Sequence, residues 1–178
     1  MKNRLNEIKS MQKKICVYTD HESTTSFIFG ELCGIDDDFF AINSITPTGK
    51  DDGIVIKLIE DIIKIEFDGQ YCDKMAKITE PQKQYSFESN GILNCALDVA
   101  IKNHDIVSIE LLKSGLNDVV GFPIKVIDNI CEVSLVDEYG YSDGFAVFKI
   151  EDVTQMSLIS ESEMSLTKLF ERNNQTNY

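Results

Sequence analysis

Asp52-Gly-Ile-Val-Ile-Lys-Leu-Ile-Glu-Asp61 returns later in the chain as Asp143-Gly-Phe-Ala-Val-Phe-Lys-Ile-Glu-Asp152. The leading Asp-Gly, the apolar positions and the closing Ile-Glu-Asp coincide without a gap at an offset of 91 residues (143 − 52 = 91). The same offset carries Ile15 onto Ile106, Gly30 onto Gly121, Asp37 onto Asp128, Gly49 onto Gly140 and Lys77 onto Lys168. A self-match of this period reads as two copies of one folding unit, because each copy repeats the same turn and core requirements. In 178 residues it predicts a first repeat over 1–80, a linker over 81–91, a second repeat over 92–172 and a frayed tail over 173–178.

Within each repeat the hydrophobic periodicity predicts a helix followed by five short strands. Leu5, Ile8, Met11 and Ile15 recur at three- and four-residue steps, and Lys13 and Lys14 suit the negative end of the helix dipole in its last turn. Leu93, Leu97, Ala100 and Ile101 make the corresponding stripe, with Gly91 just before it. Strand signals cover 15–19, 27–35, 39–45, 54–59 and 62–67, and again 106–112, 118–127, 130–136, 144–150 and 153–159. Thr46 to Asp52 is a polar loop punctuated by Pro47 and Gly49. Pro123 cannot donate a ladder hydrogen bond, so it belongs at an edge or a bulge. Each repeat closes with a short helix: Ser160-Glu-Ser-Glu163 has capping-box spacing before Leu166, Leu169 and Phe170, and Tyr71, Met75 and Ile78 play that part in the first copy. The fold class is thus mainly β with helices (α+β). Five short strands per copy predict closure into a small barrel with the helix laid across its end.

Composition narrows the function. Thirty acidic residues against 17 basic ones give a formal charge of −13. Lys2, Arg4, Lys9, Lys13 and Lys14 against Glu7 make residues 1–14 locally +4, which leaves −17 for the rest. Such a body repels DNA, RNA phosphates and anionic membranes at long range. No apolar run reaches the roughly 18 residues of a membrane span, and the first residues lack a signal-peptide hydrophobic region. Five cysteines, odd in number and 17, 39, 23 and 36 residues apart, exclude a CxxC motif. They are expected to be reduced, mostly buried thiols of a cytoplasmic protein.

The helix-plus-five-strand order, with a glycine in the second strand, resembles the Sm/Sm-like fold. Gly30, Leu32 and Asp36 fit the family's first signature and Phe39 takes its apolar position, but Phe40 stands where its asparagine would be. The family's Arg-Gly turn is replaced by Glu60-Asp61 and Glu151-Asp152, and the second copy has Pro123 and Ile127 for the leucine and aspartate. The resemblance implies tandem Sm-like barrels and strand edges open to edge-to-edge or ring-like association. In that family the asparagine and arginine grip single-stranded RNA. Here the exchange of Arg-Gly for two acids reverses the local charge, so none of those RNA contacts is carried over.

Glu60-Asp61, Glu151-Asp152, Asp52 and Asp143 are repeated acidic turns, read as structural because aspartate commonly satisfies turn amides. Asp36-Asp37-Asp38 lacks the spacing of a calcium loop and reads as a solvated turn, so no metal is expected. His21 and His104 occupy unrelated repeat positions, and no nucleophile motif or phosphate loop accompanies them. No catalytic residue and no cofactor is therefore assigned. Phe39 and Phe40 are adjacent on one strand, so one faces the core and the other is an interface candidate. Lys13 and Lys14 are candidates for docking onto an acidic neighbour. The leading expectation is a non-catalytic binding or assembly protein acting through protein–protein contacts, with a protein partner or self-association. RNA binding through the basic first helix or loops is the alternative, and an inter-barrel ligand or enzyme cleft is the third.

Overall fold

The computed structural model describes residues 1–87 and 91–175 and divides into two compact units, Met1–Ile92 and Leu93–Tyr178. Among the described residues the chain is α+β, with four α-helices and ten strands whose recorded pairings are antiparallel. The first unit contains α1 (Lys2–Ser10), β1 (Lys14–Tyr18), β2 (Ile28–Ile35), β3 (Phe39–Ile45), β4 (Asp51–Leu58), β5 (Lys64–Glu66) and α2 (Gln70–Ile78). The second continues with α3 (Ile92–Asn103), whose first residue Ile92 still belongs to the first unit, and with β6 (Val107–Leu111), β7 (Val119–Ile127), β8 (Ile130–Val136), β9 (Ser142–Lys149), β10 (Val153–Leu158) and α4 (Glu161–Gln175).

Hydrogen-bonded order in the first unit is β5–β1–β2–β3–β4, and in the second β10–β6–β7–β8–β9. Irregularities in the ladders recur at the offset read from the sequence. A register shift at Leu32/Gly34 is matched at Pro123/Lys125, and one at Asn43/Ile45 is matched at Ser134/Val136. Pro123 thus sits at the bulge its missing N–H requires. The Ile-Glu-Asp segments, Ile59–Asp61 and Ile150–Asp152, are both single 3-10 turns. Each swings the chain out of one strand and into the next.

Three expectations need correction. The first helix ends at Ser10, because Gln12 takes a left-handed φ of 52° and turns the chain into β1. Met11 is consequently 50% exposed, Lys13 lies in the connection, and Ile15 packs as a strand residue. Where closure into a small barrel was expected, the ladders among the described residues leave each unit an open antiparallel sheet. In the first unit β5 is three residues long and its recorded ladder is with β1, leaving β4 and β5 at opposite ends of the order. Finally, α4 runs through Asn173 to Gln175, where a frayed tail was expected; residues 176–178 of that tail lie outside the described residues, as do 88–90 of the linker.

The first unit buries both faces of its sheet. Leu5 and Ile8 of α1 join Ile15, Val17, Phe40 and Ile42 on one face. Met75 of α2 joins Cys16, Tyr18, Phe29 and Ile45 on the other. Alternating residues of β1 therefore enter different cores, which is why that strand is an unbroken apolar run. In the second unit α4 covers the corresponding face, with Leu166 and Phe170 against Ile106, Phe122 and Val136.

Candidate functional site

Alternation along β3 sends its two phenylalanines to opposite faces. Phe40 is fully buried among Leu5, Ile8 and Ile42, so it is a core residue and unavailable as a contact surface. Phe39 is the outward one and is half-buried, opposite Leu58 on β4. Lys13 pairs with Asp68 and lies over the Phe67 ring, 5.6 Å from its centroid. Lys14 opens β1, where its carbonyl faces the Cys72 thiol at 3.9 Å. Neither lysine belongs to a helical basic face.

The acidic turns separate into different roles. Glu151 accepts from Lys149 at 3.0 Å and holds that ammonium above its ordinary pKa. The backbone ties near Asp52 are made by its neighbour Asp51, which accepts from the amides of Gly53 (3.0 Å) and Lys83 (3.0 Å). Asp143 is exposed beside Gly144. Asp36 was expected in a solvated turn, yet it is 8% exposed and accepts from the amides of Asp38 (3.0 Å), Phe39 (2.7 Å) and Ile92 (2.9 Å). Asp37 of that triplet pairs with Lys2, whose hydrogen bond holds the exposed carboxyl below its ordinary pKa.

One surface escaped the sequence reading. On β9, Phe145 is 70% and Val147 65% exposed; Ile127 and Ile130 on the β7–β8 hairpin are 57% and 37% exposed. Register puts these residues on one side of the sheet, since Phe145 faces Ser134, Val147 faces Glu132, and Ile127 faces Ile130. A Lys125–Glu132 pair at 2.9 Å lies among them. The corresponding β4 residues of the first unit, Ile54 and Ile56, are fully buried.

An extended strap lies across that side of the first unit. Asn43 Nδ2 donates to Gln84 Oε1 (3.0 Å) and the Tyr85 carbonyl (3.1 Å), while its Oδ1 accepts from the Tyr85 amide (3.3 Å). The Phe87 amide donates to the Cys33 carbonyl at 2.9 Å. Ile92 and Phe87 close over Gly34. The strap falls in the segment read as a linker. Its anchor Asn43 is separated from it by about forty residues, which no local pattern reveals.

Two clefts lie within single units, at comparable places. In the first unit a cleft of about 580 Å³ is lined by Lys9, Gln12, Glu31, Asn43 and Tyr85. Lys9 Nζ donates to the Cys33 carbonyl at 3.3 Å, and the Tyr85 hydroxyl is buried without a hydrogen-bond partner among the described residues. In the second unit a cleft of about 380 Å³ is lined by His104, Phe122, Phe170, Thr167, Glu171 and Asn174. Both lie where the unit's first helix hands over to its sheet. The aromatic lining of the second replaces polar lining in the first: Phe122 is the 91-residue counterpart of Glu31. His104 rests on Phe122 nearly parallel, with ring centroids 4.2 Å apart.

Among the described residues no group of His, Cys, Asp and Glu converges as a metal site, and no helix is long and apolar enough to cross a membrane. All five cysteines are unpaired, three of them buried. No family model matches the chain, and neither a curated protein nor a solved structure is significantly similar to it.

Proposed function

We propose that this chain is a non-catalytic binding or assembly protein of two tandem Sm-like units, working through protein–protein contacts in a reducing, cytoplasmic compartment. The observation that carries this reading is the open apolar side of β9, where Phe145 and Val147 stand exposed while their counterparts Ile54 and Ile56 are fully covered. An exposed edge-strand surface of this kind is costly to leave in water and is characteristic of a contact site for another chain. The matched bulges and 3-10 turns of the two units, together with the helix-first order of elements, support the resemblance to the Sm-like fold. Lys13 is occupied by Asp68, and the net charge of −13 disfavours RNA, so protein is the better partner.

Sedimentation of the purified chain, alone and with lysate, tests the reading. Wild type is expected to self-associate or to retain a stoichiometric protein partner. The double variant Phe145→Glu, Val147→Glu is expected to weaken that association at least tenfold while keeping its circular dichroism. A strictly monomeric wild type that retains nothing would overturn the proposal. So would tight binding of labelled single-stranded RNA with a steep negative salt dependence.

A further inference from the structure

A second site, independent of the β9 surface, follows from the end of α3. His104 has φ 58°, its amide donates to the Ile101 carbonyl (3.3 Å), and the next amide, of Asp105, donates to the Ala100 carbonyl (2.9 Å). That is a Schellman cap, whose left-handed position is ordinarily glycine because a side chain there costs about 1 kcal/mol. Histidine in that place lays its ring on Phe122, at an interplanar angle of 6°. Phe122 is itself buried and backed by Phe170 at 5.0 Å. One face of the imidazole is therefore covered while the residue remains exposed to the cleft.

Beside Phe170 on α4, Thr167, Glu171 and Asn174 also line the cleft and fall at three- and four-residue steps along the helix. The Thr167 hydroxyl already donates to the Glu163 carbonyl at 2.9 Å, which leaves the Glu171 carboxylate and the Asn174 amide to meet a ligand. The cleft thus offers a flat aromatic platform, a carboxylate and an amide oxygen in about 380 Å³.

We propose that this cleft binds an arginine side chain presented by a partner, with the planar guanidinium stacked on the open face of His104 and its N–H groups directed to Glu171 and Asn174. A guanidinium is the group that is at once flat, cationic and rich in donors. A lysine ammonium cannot stack as a plane. A neutral aromatic ring would leave the carboxylate unmatched. A nucleotide would bring phosphate toward Glu171 on a chain of net charge −13.

The probe is acetyl-arginine-amide, titrated into the intact protein at pH 8 while the histidine ring protons and the probe's own side-chain protons are followed by NMR. A single side chain of this kind binds with a dissociation constant on the order of millimolar. Arginine is expected to shift the His104 ring signals saturably, with acetyl-lysine-amide at least fivefold weaker. His104→Gly suits the left-handed backbone, so the variant should fold; its affinity for the probe should fall about tenfold. Glu171→Gln should weaken binding about fivefold. Equal response to lysine, stronger response to adenosine, no saturable shift, or unchanged binding by folded His104→Gly would each overturn the assignment.

Discussion

Gly30 and Gly121 each stand directly against the backbone of a neighbouring strand. A Cβ built on Gly30 would lie 2.0 Å from the Asn43 carbonyl oxygen, and one on Gly121 would lie 2.1 Å from that of Ser134. Neither neighbour is a side chain that can step aside; both are strand backbone within a hydrogen-bonded ladder. Gly30→Ala and Gly121→Ala are therefore each expected to cost about 3 kcal/mol, as overpacked core positions do. Urea denaturation of the two variants measures this, with Gly69→Ala as a control: nothing lies within 4 Å of a Cβ there, and its cost should stay under about 1 kcal/mol. A loss below about 1 kcal/mol at Gly30 would mean that the strands part easily and that the close approach is not what requires glycine. At this scale the sequence was informative, since the two glycines stand in register at the repeat offset. It was silent on Asn43, whose role as anchor of the strap depends on a segment far along the chain.

At the scale of elements, α4 is fastened by one carboxylate. Glu163 is 4% exposed; its Oε1 accepts from the Ser108 hydroxyl (2.7 Å) and the Ser157 hydroxyl (2.8 Å), and its Oε2 accepts from the Ser160 amide (2.8 Å). Ser108 and Ser157 face each other across β6 and β10, so the helix start is bound to both strands at once. Glu163→Ala removes the acceptor and leaves two hydroxyls and an amide short of partners, with an expected loss of about 3 kcal/mol. Ser160→Ala removes only the weaker reciprocal bond, 3.5 Å long, with an expected loss of about 1 kcal/mol. Chemical denaturation separates the two, and equal losses would mean that the strand hydroxyls contribute nothing. The capping box was legible because its partners are three residues apart. The two serines that make Glu163 a tertiary tie were not, because nothing local marks them. The same contrast holds for strands. β3 and β8 were legible to the residue from alternation and turn acids. The end of α1 was misread, because Met11 and Ile15 continue a helical spacing beyond the point where Gln12 turns left-handed. The candidate surface on β9 was hidden for a related reason. Phe145 and Val147 alternate like core residues, and among the described residues no segment covers them.

For the whole molecule, buried thiols set the alkaline limit. Burial pushes Cys16 and Cys33 from 9.0 up to about 12, with the neighbouring Cys72 adding to the effect at Cys16, and pushes Cys131 up to about 11. These side chains are 2%, 3% and 0% exposed, so ionising them in place would put charge into an apolar core. The folded state binds these protons more tightly than the unfolded chain. Their contribution is therefore complete below about pH 9 and is lost as pH rises from there through 11 and 12. The lowered carboxyls act in the other direction: Asp37, Glu66 and Asp118 contribute above their ordinary range and lose that contribution in acid. All three are exposed to solvent, so screening keeps their share small. Stability should consequently be nearly level from about pH 5 to 9 and fall beyond it. At pH 10 each thiol accounts for on the order of 1 kcal/mol, and the three together for a few kcal/mol. Urea midpoints at pH 8 and pH 10 under reducing conditions measure the fall. Replacing the three cysteines by alanine lowers stability at both values but should flatten the difference between them. If the triple variant loses as much between pH 8 and 10 as wild type does, the thiols are spectators. The alkaline limb then arises from the surface charge of −13 or from Tyr18 and Tyr71, whose hydroxyls are also raised, Tyr18 by its hydrogen bond to Glu66 and Tyr71 by burial.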